Sequence, residues 1–279
     1  MNDRGAGDPL LVSTRAALLD AIEALSDHAS AVIIVGAQAV HLNTGDALVA
    51  LAESTKDADI ALDPSLLKQE PLIEAALLAA KFRQGGQPGQ WTNREGTPVD
   101  LLLPSAVAGI SPNRRSVRIP PHANNVARNT RGIEGCLVDN RMLEITALDP
   151  ADARLVRARV AGTSALLVAK AIKIGERLDA PDRLNDKDAH DIYRLLVAAD
   201  TQSTAVTLST LLTRDVSAVV AREALSHLRG LFADTNGIGS VMAGRAERGI
   251  GDPEQVAQSV SILVADLLDA IEQPNGQPL

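Results

Sequence analysis

Ala31-Val-Ile-Ile-Val35 is an unbroken apolar run, rich in β-branched residues, that stops at Gly36. That is the pattern of a buried strand, and the helically spaced AQAVHL after it predicts a turn at Gly36 from strand into helix. Ala58-Asp-Ile-Ala-Leu62 alternates polar and apolar positions and ends at Asp63-Pro64, a second strand, with a helix expected over Leu66 to Ala80. Thr97 to Leu103 is a third strand, closed by Pro104 and preceded by a Gly-rich turn at 85–89. Upstream, Ser13 is the expected cap of a helix reaching Ser26, with Leu18, Ile22 and Leu25 on one face. Short β-compatible pieces at Ser116–Ile119, Gly135–Val138 and Leu155–Val160 complete a mixed sheet. From Thr163 the period becomes helical: Thr163 caps SALLVAKAIKIGERL, and Asp186 leads KDAHDIYRLLVAA. Asp252-Pro253-Glu254 then opens a last helix, Val256 to Ile271, with a cap, a proline at the first helical position and an acid in the first turn. The expected fold class is α/β (α+β), a mixed-sheet domain over 1–160 followed by an all-helical domain over 161–279.

Composition narrows the function classes. The 279 residues suit one large or two modest domains, and 46% apolar side chains supply an ample core. A net charge of −8 excludes a uniformly basic coat for nucleic acid, and four rings (Phe82, Trp91, Tyr193, Phe232) exclude a base-stacking platform. Cys136 stands alone, which excludes an intrachain disulfide, a multi-cysteine zinc site and an iron–sulfur cluster. The N-terminus lacks a signal-peptide pattern, and the longest apolar run, Ala31 to Val40, is interrupted by Gly36 and Gln38. It is too short to span a bilayer, so a cytoplasmic protein with no membrane partner is expected. Charge is uneven, however. Between Ser105 and Val160 there are nine arginines, no lysine and five acids, a local net of +4. Such a segment guides a polyanion, unless its arginines pair with acids elsewhere.

The candidate chemistry is carried by acids. Asp57 and Asp59 are two apart along an extended segment and point the same way, and Asp100 on a neighbouring strand completes a three-carboxylate cluster. Converging carboxylates need a cation, and oxygen-only ligands suit Mg²⁺ or Mn²⁺, which would bridge a nucleoside triphosphate. Gly36 before a helix lets backbone N–H groups approach a phosphate without a Cβ between them. Downstream, Lys170, Lys173 and Arg177 fall at i, i+3 and i+7, one cationic helix face. The alternatives are a solvated face for these cations, and for Asp188 and Asp191 pairing with Arg194 or Lys187 on their own helix. Asn236-Gly-Ile-Gly-Ser240 follows no strand and precedes no P-loop lysine, so it is expected to be a turn between helices. The five histidines lack zinc spacing, and Ser105, Ser111 and Ser116 lack a nucleophile elbow.

The ordered set Gly36-Ala37-Gln38-Ala39, Thr55-Lys56-Asp57-Ala58-Asp59 and Val99-Asp100-Leu101-Leu102 resembles the nucleotidyltransferase superfamily of polymerase β type. LLVAKAIKIGERL and KDAHDIYRLL resemble helices of its AbiEii/MenT-like branch, toxins of type IV toxin–antitoxin systems. The resemblance spans about residues 30 to 200. It implies that Asp57 and Asp59 are paired metal ligands and that Asp100 is a third ligand that also activates the acceptor hydroxyl. It places Gly36, Ala37, Thr55, Lys56, Lys173 and Arg177 at the nucleotide, with Lys170 on triphosphate oxygens and Asp188 as the acid of the following helix. It implies transfer of NMP from an NTP to an acceptor, with tRNA or another RNA as the acceptor and a cognate antitoxin as a further partner. Two alternatives stand beside it: an aminoglycoside-type small-molecule acceptor, and a degenerate nucleotide-binding module without catalysis. Ala37 replaces a common serine and offers only its N–H. Lys56 stands where arginine is commoner, keeping the charge but losing the bidentate fork.

Overall fold

The computed structural model describes residues 8–45, 56–108 and 115–273. Helix α1 (Pro9–Ala24) is followed by strand β1 (Val32–Val35), helix α2 (Gly36–Thr44) and strand β2 (Ala58–Leu62). After helix α3 (Ile73–Ala79) come strands β3 (Arg83–Gln84), β4 (Gln90–Thr92) and β5 (Pro98–Pro104). A short helix α4 (Ser105–Ala108) leads to β6 (Arg128–Thr130) and the hairpin of β7 (Asn140–Thr146) and β8 (Leu155–Ala161). All further described elements are helices: α5 (Thr163–Gly175), α6 (Asp186–Ala198), α7 (Thr201–Thr213), α8 (Ala218–Phe232), α9 (Ile238–Ala246) and α10 (Pro253–Glu272), with a 3-10 turn at Pro181–Arg183. The expected fold class, a mixed α/β sheet followed by a helical region, is what the structure has.

The strands form one sheet in the order β3-β4-β5-β2-β1-β8-β7. β5 is long enough to serve two partners along one edge: its first half pairs antiparallel with β4 and its second half parallel with β6. α1 packs across β2 and β5, with Leu18 and Leu19 completely buried. Side chains of that size contribute about 1.5–3 kcal/mol each when removed from water.

The chain folds as two compact units. The first collects the described residues up to Ala39, those from Ser54 to Arg131, and Asn140–Ala161, and so holds the whole sheet. The second collects described residues within Val40–Glu53, Gly132–Asp139 and the helices from Gly162 onward. Its central helix, α5, is buried at Leu166, Leu167, Val168, Ala171, Ile172 and Ile174. No helix among the described residues is long and apolar enough to cross a membrane.

Several local expectations change. α1 starts at Pro9 with Asp8 as its cap, accepting from the Leu10 N–H; Ser13 lies inside the helix and bonds back to Leu10 O. The helix expected over Leu66–Ala80 is confined to α3, because Pro71 interrupts it and two buried histidines hold the preceding segment. His28 Nε2 donates to Pro71 O, while His122 Nε2 donates to Lys68 O and its Nδ1 accepts from the Ile73 N–H. Gly135–Val138 is a 3-10 turn (Glu134–Leu137) instead of a strand, with the Glu134 carboxylate folded back on the Gly132 N–H. Ser116–Ile119 retains only one bridge, from Ser116 to Arg128. Thr163 is the first residue of α5, not its cap; Asp139 caps the helix from a distance by accepting the Ala165 N–H at 2.9 Å. Asp252 caps α10 as its Asp-Pro-Glu sequence predicts, and Asn236-Gly237 lies in the turn between α8 and α9.

Candidate metal centre

β1 and β2 run antiparallel with Val35 opposite Asp59, and β2 and β5 run parallel with Asp59 beside Asp100. Asp57 lies in the bend just before β2, two residues ahead of Asp59, and its carboxylate joins the other two. Register therefore gathers three half-buried carboxylates whose ligand atoms lie within 4.8 Å of one another. At the end of β1 the backbone turns through Gly36 at φ +66° into α2. A Cβ at position 36 would fall on Asp59 Oδ2, so glycine is required there both for its left-handed backbone and for the space it leaves. Ala37 occupies the first turn of α2, half-buried, and Lys56 is exposed just before Asp57. Thr55 lies outside the described residues.

One residue of this centre escaped the sequence reasoning. Arg128, on β6, places Nη2 2.8 Å from Asp100 Oδ2. Burial pushes the Asp100 carboxyl above its usual range; Arg128 pulls it back down and Asp57 pushes it up again, leaving it raised. The only sequence signal for Arg128 was membership of the arginine-rich segment, which did not single it out. Of that segment, Arg154 also pairs with acids, Asp20 and Asp152, whereas Arg115, Arg118, Arg141 and Arg157 are exposed.

The donor set is chemically suited to a hard divalent cation: three carboxylates and no sulfur or imidazole. Asp57, Asp59 and Asp100 would be its holders.

The second unit holds the other predicted residues. Lys170 on α5 sends Nζ to Asp188 Oδ1 at 2.8 Å and to Asp191 Oδ2 at 2.6 Å, both on α6. Lys173 Nζ reaches the same Asp188 oxygen at 2.9 Å, and Arg177 Nη1 lies 3.5 Å from Asp188 Oδ2. The cationic stripe is thus real but graded: the Lys170 side chain is 8% exposed, that of Arg177 27% and that of Lys173 43%. The two aspartates pair across to α5 rather than with Arg194 or Lys187 on their own helix, and Arg194 donates instead to Thr44 Oγ1 at 2.8 Å. Burial, the largest influence on Lys170, pulls its pKa down, but Asp191 and Asp188 together hold it above the usual lysine value. Burial likewise raises the Asp188 pKa, and Lys170 and Lys173 outweigh it, lowering it to about 2.

No family model and no curated protein matches the chain. A crystal structure from H. pylori, of a provisionally assigned nucleotidyltransferase, aligns over 97% of this chain and 100% of its own at 9% identity and a TM-score of 0.32. A likeness that slight carries no functional argument.

Proposed function

We propose that the protein is a divalent-metal-dependent nucleotidyltransferase that moves NMP from an NTP to an acceptor hydroxyl. The observation that carries this reading is the convergence of Asp57, Asp59 and Asp100 beside the Gly36 turn at the head of α2. A bound Mg²⁺ or Mn²⁺ supplies Lewis-acid polarisation of phosphoryl oxygens. Gly36 and Ala37 present backbone N–H groups to a phosphate at the helix terminus. Asp100 takes the proton of the acceptor hydroxyl as its oxygen bonds to Pα, the Pα–O bond to the β-phosphate breaks, and pyrophosphate leaves. In the second unit Lys173 and Arg177 are the proposed triphosphate cations, with Lys170 and Asp188 as their buried support.

RNA, tRNA in particular, is the proposed acceptor, and a toxin with a cognate antitoxin is the proposed biological role. The motif order of the sequence supports the role, and the exposed Arg115, Arg118, Arg141 and Arg157 support the polyanion. Ala37, which lacks a hydroxyl, favours a second reading as a nucleotide-binding module without catalysis. Incubation with each α-labelled NTP, Mg²⁺ and total tRNA separates the two. Transfer of label that Asp57→Asn and Asp59→Asn abolish supports the enzyme. Absence of transfer to RNA, protein or aminoglycoside under Mg²⁺ and Mn²⁺ refutes it.

A further inference from the structure

We propose that Arg128 is a positioning residue that couples divalent-metal binding to nucleotide binding, by acting as the resident counter-cation of Asp100. The inference rests on the metal-and-triphosphate reading of the centre and extends it to a residue that reading does not contain.

Arg128 is held in place by structure around it. Its strand pairs with the end of β5, where Leu102 is opposite Arg128. The next residue, Asn129, is bonded on two sides, through its side chain to Ser105 Oγ at 2.6 Å and through its N–H to Arg115 O at 3.0 Å. Trp91 Nε1 donates to Val126 O at 3.0 Å just upstream. Gly89, at φ +76°, completes the seat: a Cβ there would collide with Leu101 O and with the Arg128 backbone N and Cβ. The sequence thus spends a left-handed glycine on bringing the Arg128 backbone against β5. From that seat one guanidinium nitrogen holds Asp100, while the side chain as a whole stays 35% exposed. A guanidinium has five N–H donors, so donors remain for an anion arriving from solvent.

The charges set the consequence. Asp100 carries a negative charge that both Arg128 and a divalent cation would seek. While Arg128 engages Asp100, it repels that cation and competes for one ligand oxygen. A triphosphate gives the guanidinium another partner and releases the carboxylate. By linkage, nucleotide then tightens metal binding and metal tightens nucleotide binding by the same factor. An ordinary half-exposed salt bridge, worth at most about 1 kcal/mol to stability, has no such effect.

The test is Mn²⁺ binding, followed by the EPR signal of the free ion, to the full chain with and without an NTP analogue whose α–β bridge cannot be cleaved, after subtracting the Mn²⁺ that the analogue alone binds in a protein-free titration. For the wild type, the analogue is expected to tighten Mn²⁺ binding at least about tenfold, the scale of one unit charge near a half-solvated site. In Arg128→Met, Mn²⁺ is expected to bind about tenfold tighter than in the wild type without nucleotide, and the analogue's effect is expected to shrink by about the same factor, leaving what direct contact between metal and phosphate supplies. Arg128→Lys, which keeps the charge but not the fork, is expected to retain about half of the coupling on a logarithmic scale, and it serves if the methionine variant does not fold. Mn²⁺ binding that Asp57→Asn abolishes but that is unchanged or weaker in a folded Arg128 variant overturns this proposal and leaves the metal reading standing. A wild type that binds no Mn²⁺ overturns both.

Discussion

Replacing Lys170 by methionine removes the charge that two buried carboxylates share while nearly conserving side-chain volume. Asp188 keeps Lys173 at 2.9 Å and Arg177 at 3.5 Å, whereas Asp191, with its side chain 3% exposed, loses its 2.6 Å ion pair. Breaking a buried pair from one side costs about 3–5 kcal/mol, mostly the penalty of the charge left behind. Asp188's remaining partners place the expected loss near the lower end, about 3 kcal/mol. Removing the stranded charge as well, in Lys170→Met with Asp191→Asn, is expected to recover about half of it, a coupling of at least about 1.5 kcal/mol. Urea unfolding at neutral pH reads both values from the midpoint at constant m. Lys173→Ala, at the exposed end of the stripe, is expected to lose under about 0.5 kcal/mol. A Lys170→Met protein within about 0.5 kcal/mol of wild type, or additive single and double variants, would refute the view of Lys170 as structural keystone of the α5–α6 pair. Acid provides a cross-check. Asp188, at about 2 when folded and near 3.9 when unfolded, contributes stability above about pH 4. That contribution is lost as pH falls from about 4 toward 2, and Asp188→Asn should flatten the loss.

Gly36→Ala forces a left-handed alanine, costing about 1–2 kcal/mol, and displaces Asp59. Mn²⁺ affinity should fall at least about tenfold in a protein whose circular dichroism is unchanged; unchanged affinity would contradict the Gly36–Asp59 packing. Asp139→Ala removes the remote cap of α5 and is expected to cost about 1 kcal/mol in urea unfolding, with Asp139→Asn nearly neutral. Burial holds the His122 pKa below its ordinary value, so its contribution to stability is complete above about pH 6.5 and is lost as pH falls through the depressed folded value. The melting temperature should drop between pH 7 and pH 5, and less so in His122→Gln; an unchanged slope in that variant would assign the drop elsewhere.

The parts of the fold that could be read directly were those whose signals are local. A β-branched run stopped by glycine, an alternating segment stopped by Asp-Pro, and an Asp-Pro-Glu helix start each carry their own cause, and they became β1, β2 and α10. The acidic cluster was legible for the same reason: close spacing keeps Asp57 beside Asp59, and one strand pairing brings Asp100. What failed depended on distant partners. Ser13 has the chemistry of a cap, but Asp8 with Pro9 starts the helix a turn earlier. Thr163 likewise looks like a cap, yet Asp139, more than twenty residues upstream, does that work. Residues 66–72 have helical composition and are instead pinned through Lys68 O and Pro71 O by histidines from two other segments. Arg128 belongs to the same group, since its importance comes from Gly89, nearly forty residues upstream, making room for it at the edge of β5. The helical stripe was read correctly as a face, but spacing alone does not reveal which end of a stripe is buried.

Asp139 and Gly162 are joined by a backbone hydrogen bond of 2.9 Å, from the Gly162 N–H to Asp139 O. The β7–β8 hairpin between them therefore leaves the helical unit and returns to it through a closed neck. Its tip, from Leu148 to Ala151, inside the Ala147–Arg154 hydrogen bond and the Arg154 ion pairs, is where length can vary during evolution without disturbing the start of α5, because the neck fixes that start whatever the excursion's size. Insertions and deletions among related chains should accumulate at this tip, and a peptide tag placed there is better tolerated than one at residue 139 or 162.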